Sequence, residues 1–223
     1  MTKVMLATLI REPFDSPEWI FETKWDGYRA LARKAKRVKM VTRNGKSLNT
    51  RFPTIVKALE GLRGSYVLDG EIVILDKQGR SHFQLLQNYQ KSQEGTPYYY
   101  LFDLLAYNGK SLAHLPLITR KRMLKELLRS SRSRSLRFSN HIAGKGKALF
   151  RKAKAKKWEG IIAKKADSSY QFRRPSSSIT WVQPNLVCEV SFAEWTRDGK
   201  LRQPIFEGLR IDKSPKEVVR EHA

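Results

Sequence analysis

Lys24-Trp25-Asp26-Gly27-Tyr28-Arg29, preceded by Phe21-Glu22-Thr23, sets a lysine at the end of an apolar, strand-like segment with an acid, a glycine and an arginine beside it. A lysine amine attacks only after losing its proton, which proteins favour by withdrawing it from water or by placing further positive charge nearby. Arg29 and a bound metal would supply that charge, so the stretch reads as a nucleophile. The blander alternative is a surface lysine on an amphipathic strand followed by an Asp-Gly turn, and six residues alone do not decide between the two.

Outward from that stretch, composition points to a class of partner. There are 44 Lys and Arg against 21 Asp and Glu, a formal net charge of +23, as expected of a chain that binds polyphosphate or nucleic acid. An anionic membrane is the competing partner, but no uninterrupted apolar stretch approaches about 20 residues and no lipidation motif is present. Met1 to Leu6 is soon followed by Arg11, Glu12 and Pro13, which argues against a signal peptide and for a cytosolic protein. Cys188 is the only cysteine, and His82, His114, His141 and His222 are scattered singly, which excludes an internal disulfide and a cysteine-rich zinc site.

Apolar runs at Trp19 to Phe21, Tyr28 to Ala32, Val38 to Thr42, Tyr66 to Leu75, Tyr98 to Leu105, Gly160 to Lys164 and Leu186 to Phe192 predict strands. Asp26-Gly27, Asn44-Gly45 and Asn108-Gly109 punctuate them. Helical spacing occurs over Pro53 to Leu62, Thr119 to Leu128 and Ala148 to Trp158. The class is α+β rather than alternating βαβ. Two basic patches, Arg129 to Ser135 and Lys145 to Lys157, read as solvated faces or as phosphate contacts that give affinity without sequence readout.

Thr42-Arg43-Asn44-Gly45, Leu68-Asp69-Gly70-Glu71-Ile72-Val73, Tyr100-Leu101-Phe102-Asp103-Leu104-Leu105 and Glu159-Gly160-Ile161-Ile162-Ala163-Lys164-Lys165 follow the lysine stretch in that order. Together the five motifs resemble the nucleotidyltransferase domain of ATP-dependent DNA ligases, most closely the ligase module of bacterial multifunctional end-joining ligases. The resemblance implies two packed antiparallel sheets with flanking helices, an ATP-grasp-like domain with nucleotide in the groove between the sheets. It implies that Lys24 attacks the α-phosphate of ATP to form a lysyl-adenylate, with Mg²⁺ or Mn²⁺ shielding phosphate charge. Glu22 and Thr23 then lie at the adenine edge, and Arg29 and Arg43 at ribose, phosphate or the incoming 5′-phosphate. Glu71 holds ribose hydroxyls or metal, Phe102 stacks on the purine, Glu159 is linked to metal and Lys164 contacts phosphate. Read alone, Asp69-Gly70-Glu71 would be a turn and Phe102 a core residue. Trp25 and Trp158 are read as packing. The implied partners are double-stranded DNA with nicks or ends and other end-joining repair proteins, bound by a monomer.

The chain then departs from the family. A complete module carries Trp-Leu-Lys-x-Lys after the position of Glu159 and continues into a five-stranded oligonucleotide-binding barrel. Here Tyr170 to Ser178 runs into Trp181-Val182-Gln183-Pro184 and a segment resembling only the close of that barrel. The expected domains are residues 1–175, the nucleotidyltransferase domain, and 176–223, a truncated barrel remnant of two or three strands. Arg197, Lys200 and Arg202 would guard its open edge against pairing with another chain. Each missing lysine would remove roughly 3 kcal/mol of transition-state stabilisation, so sealing is expected to be weak. The alternatives are a catalytically impaired DNA-binding remnant in a repair complex and an RNA ligase or capping-type transferase.

Overall fold

The structure is a computed structural model that describes residues 4–7, 10, 12–76, 79–81, 83–92, 94–172, 187–195 and 201–210. In chain order the elements are β1 (Ser16–Lys24), β2 (Tyr28–Lys34), β3 (Val38–Thr42), α1 (Pro53–Glu60), β4 (Tyr66–Ile74), α2 (Phe83–Ser92), β5 (Pro97–Tyr107), β6 (Lys110–Ser111), α3 (Leu117–Arg129), β7 (Leu136–Phe138), β8 (His141–Gly144), α4 (Gly146–Ala155) and β9 (Gly160–Lys165). These belong to the first of two compact units, Met1–Ser176; the second, Ser177–Ala223, holds β10 (Val187–Ser191), β11 (Glu194–Trp195), β12 (Leu201–Arg202) and β13 (Ile205–Arg210).

Two sheets organise the first unit. The larger runs β3-β2-β4-β5-β6, with β7 on β5, and the smaller runs β8-β1-β9. All pairings are antiparallel except β5 with β7, whose residues Tyr99 to Leu101 run parallel to Leu136 to Phe138. Both sheets are otherwise antiparallel, as expected; the short β7 runs parallel because α3 returns the chain to the start of β5 rather than to its end.

Alternation along the strands decides what each face of the large sheet meets. Ala30, Ala32, Met40, Leu68, Ile72, Tyr99 and Leu101 share one core with Ile55 and Leu59 of α1, Leu86 of α2 and Leu124 of α3. Each buried Leu, Ile or Met among them contributes about 1.5–3 kcal/mol by leaving water, and this one face anchors three helices. The opposite face carries Arg29, Asp69 and Glu71, with Arg29 opposite Glu71 in register. On the small sheet, Phe21 lies on the face covered by α4, where a side chain added at Gly146 would come within 2.4 Å of its ring. Ile20, Glu22 and Lys24 therefore project from the other face.

Helix boundaries follow local chemistry. Pro53 opens α1 at a position where its missing N–H is not needed. The helix expected to reach Trp158 stops at Ala155, because Lys157 turns left-handed at φ +53°. Trp158 N–H then reaches the Ala153 carbonyl at 2.9 Å and Lys157 N–H the Lys154 carbonyl at 3.1 Å, closing the helix with a Schellman motif. Asn108 and Gly109 both take positive φ between Tyr107 and Lys110, the turn that an Asn-Gly hairpin demands.

In the second unit, β10 pairs with β13 and β11 with β12. Ser191 faces Ile205 and Glu194 faces Arg202, so the two pairs continue one register as broken arms of a hairpin, with a shift of one residue between Glu189 and Val190. Arg202 Nη1 reaches Glu194 Oε1 at 2.5 Å across those arms. Arg197 and Lys200, expected to guard an edge, lie outside the described residues, as do Arg173 and Arg174.

Candidate active site

β1 and β2 do not pair. The chain leaves the small sheet at Lys24 and joins the large one at Tyr28, so Trp25-Asp26-Gly27 bridges two layers rather than closing a hairpin. Asp26-Gly27 is therefore not a hairpin turn. A side chain on Gly27 would sit 2.1 Å from the Ile72 carbonyl oxygen, so only glycine lets this bridge lie against β4 beside Glu71.

Register brings Lys24 to its partner. Lys24 faces Gly160 across the β1–β9 ladder, and its Nζ is ion-paired with Glu159 Oε1. Gly160, at φ +153°, turns the chain between that acid and the strand. On the large sheet, Arg29 grips Asp69 with a two-pronged contact, Nε to Oδ1 at 2.6 Å and Nη2 to Oδ2 at 2.7 Å. Tyr170 donates its hydroxyl to the same Oδ2 at 2.7 Å. Burial alone would lower the Arg29 pKa, but Asp69 outweighs it and the guanidinium is held more firmly charged. Burial pushes the Glu71 carboxyl up to about 8; Arg29 opposes the rise, while Asp69, Glu159 and Asp26 add to it.

Phe102 reaches the cleft through an irregularity in β5. Asp69 pairs with Asp103 but Gly70 pairs with Leu101, leaving Phe102 as an extra residue in a β-bulge that re-aims its side chain. Leu101 and Leu104, three apart, both lie in the core, and the ring between them turns outward. Arg29 Cζ lies 4.5 Å and Lys164 Nζ 4.2 Å from its centroid.

A second cluster lies at Glu22. Its Oε1 is 2.9 Å from Lys121 Nζ and 3.1 Å from Lys164 Nζ, and Ser139 donates to Oε2 at 3.0 Å. Burial by itself would raise the Glu22 pKa, but Lys164 and Lys121 outweigh it and hold the carboxyl below its usual range. Burial, reinforced by Lys164 and opposed by Glu22, pushes the Lys121 amine down to about 8.

The expected residues thus divide. Lys24, Glu22, Arg29, Glu71, Phe102, Glu159 and Lys164 gather between the two sheets, with the Lys164 amine on Glu22 and Phe102. Thr23 falls on the opposite face of β1 from Glu22 and Lys24 by strand alternation, leaving only its backbone to the cleft side. Arg43 is exposed in the turn after β3, with no hydrogen bond or ion pair to another described residue. Sequence reading overlooked Lys121, Ser139, Asp69 and Tyr170. The signal for Lys121 was present: Leu117, Lys121, Leu124 and Leu128 recur at helical spacing, which places a lysine in the buried stripe of α3. Trp25 stacks on Tyr100 at 3.7 Å.

Residues 4–182 match the family model described as the ATP dependent DNA ligase domain. The chain belongs to the ATP-dependent DNA ligase domain family. Among this ligase family's curated members, the multifunctional non-homologous end joining protein LigD of Pseudomonas aeruginosa is 30% identical, covering 97% of this chain and 36% of its own length. The SPbeta prophage-derived DNA ligase-like protein LigB of Bacillus subtilis is 31% identical, covering 77% of this chain and 63% of its own. A solved mycobacterial DNA ligase D complexed with ATP and MES superposes with a TM-score of 0.70 at 27% identity, over 99% of this chain and 98% of that one. The chain spans about a third of the length of the LigD relatives. Its alignment with the Pseudomonas ligase runs over 305 residues, more than the 223 it possesses, so the relative carries sequence there that this chain lacks. No described helix is long and apolar enough to cross a membrane.

Proposed function

We propose that this chain is the adenylating core of a DNA ligase: Lys24 takes AMP from ATP, passes it to a DNA 5′-phosphate, and a 3′-hydroxyl then displaces AMP to seal the strand, in repair by end joining. The observation that carries the reading is the convergence of Lys24, Glu71, Glu159, Arg29 and Phe102 in one cleft, from strands far apart in sequence.

For Lys24 to attack, its amine must be released from Glu159 and lose its proton; its electron pair then forms a P–N bond as pyrophosphate departs. Phe102 offers a ring face to the purine, and stacking there requires the Lys164 or Arg29 cation to give way on that side. Glu22 presents an ionised acceptor suited to an amino group on the base edge. Arg29, locked by Asp69, presents its remaining N–H to ribose or phosphate. Arg43 and the backbone of Thr23 serve the substrate less directly.

The described residues hold no group of three or more His, Cys, Asp or Glu set to bind a metal. Two acids nevertheless fit a divalent cation that shares its ligands with phosphate, as magnesium commonly does. Glu71 is raised in part by Glu159, a repulsion that a cation between them would relieve, and carboxylates accept manganese equally. When bound, the metal neutralises phosphate charge and orients the leaving pyrophosphate.

The hairpin pairing among the described residues of the second unit, with the sequence missing opposite the Pseudomonas relative, supports a truncated barrel. Adenylation of Lys24 is accordingly retained but weakened, and nick sealing, which also needs the barrel to clamp the duplex, is the weaker step. Incubation with Mg²⁺ and α-labelled ATP is expected to label the protein, and Lys24→Ala to abolish the label. No label on either would leave the DNA-binding remnant as the better reading, and labelling by GTP instead would point to a capping-type enzyme. Strong nick sealing at physiological salt would overturn the account of the barrel.

A further inference from the structure

An open cavity of about 330 Å³ is lined by Arg80, Ala155, Lys156, Lys157 and Trp158. Both walls are tied to the nucleophile's segment. Ser81, next to Arg80, accepts the Asp26 N–H at 3.2 Å. Trp158 immediately precedes Glu159, the partner of Lys24. Arg80 is partly neutralised by Asp76 at 2.7 Å. Lys156 and Lys157 have no side-chain hydrogen bond or ion pair to another described residue, and both are exposed.

The bland explanation is that these lysines merely complement the negative end of α4. The closing turn argues against it. Backbone N–H groups of Lys156, Lys157 and Trp158 already reach the Lys152, Lys154 and Ala153 carbonyls, so the side chains are not needed as caps. Lys157 also keeps the left-handed conformation, at φ +53°, where glycine is the unstrained choice. A strained residue held beside a reactive group is a reason to look for a ligand.

We infer that Arg80, Lys156 and Lys157 form a phosphate-binding subsite beside Lys24, with the Trp158 ring as its apolar wall. Its occupant is a phosphate-type anion, from the pyrophosphate end of ATP or from the backbone of a nicked duplex. This deepens the proposed function and rests on Lys24 as nucleophile.

The test compares the whole chain with Lys156→Ala/Lys157→Gly, in which glycine suits the left-handed turn, and with Lys145→Ala/Lys147→Ala, which removes the same charge from the other end of α4. Affinity is measured for inorganic pyrophosphate by calorimetry and for a 5′-phosphorylated nicked duplex by anisotropy, at one fixed salt concentration. The first variant is expected to lose about tenfold in one arm or both beyond the control, with its melting midpoint unchanged or higher. The arm that responds identifies the source. Equal losses in the two variants would mean general basic attraction only and would overturn the subsite, as would no loss in either arm. Intact mass after ATP treatment, recorded on the same samples, reports the Lys24 adduct separately. Pyrophosphate or DNA discrimination without an adduct would sink the ligase reading, and an adduct without discrimination would sink the subsite.

Discussion

Lys24 meets Glu159 where water reaches it, whereas Lys121 meets Glu22 where water does not. The side chains of the first pair are 41% and 13% exposed and those of the second 1% and 2%. Removing ions from water costs several kcal/mol each, and such a pair persists only when further bonds satisfy it; at Glu22, Ser139 and Lys164 do so. The buried end of the cleft is therefore committed to one arrangement. The open end is held by a contact that a phosphate or a cation can replace, which suits the nucleophilic role proposed for Lys24. One fold thus uses the same two residue types for a buried pair and an accessible one, and solvent access separates them.

Substitution can break that contrast. Lys24→Ala is expected to reduce adduct formation at least about a thousandfold while shifting stability by less than about 0.5 kcal/mol; mass spectrometry and thermal melting read the two effects. Lys121→Met should do the reverse, costing about 3 kcal/mol in urea unfolding by leaving Glu22 half-compensated. The Glu22→Gln/Lys121→Met double variant should recover part of that loss, and strict additivity would show the pair to be uncoupled.

A pH series sharpens the comparison at an intermediate scale. The folded-state value for Glu71 is about 8 against an ordinary 4.5. The folded form therefore binds the extra proton, and the associated stability is fully present below about 4.5 and is lost as pH rises through 8. Glu71→Gln should melt higher than the parent at pH 9 but not at pH 5. Magnesium should raise the parent's midpoint near pH 8 and leave that of the variant alone. The smallest effect belongs to Arg129→Ala, whose partner Glu126 lies 2.7 Å away with the two side chains 67% and 57% exposed; a change within about 0.5 kcal/mol is expected.

What could be read from the chain followed the strength of local signals. Lys24, Glu71 and Glu159 stand in motifs whose order is informative, in or beside strands marked by apolar runs. α2 escaped because Phe83–Ser92 is rich in Gln and buries only Leu86 and Tyr89, too few for a helical period. β7 and β8 are three and four residues long and are strands only because β5 and β1 lie beside them. The Glu22–Lys121 contact joins residues 99 positions apart through a sheet and a helix, a tertiary fact that no window on the sequence contains. The outward turn of Phe102 depends on register against β4, and register is invisible until both strands are placed.

The interval between Leu101 and Leu104 has a consequence for how the molecule can change. Regular alternation would place those two leucines two positions apart, so the apolar layer beneath would be served equally well by a strand one residue shorter. Such a deletion would leave Leu101 and Leu104 on the core face and withdraw the Phe102 ring from the cleft. The length of this strand answers to the cleft above it rather than to the core below.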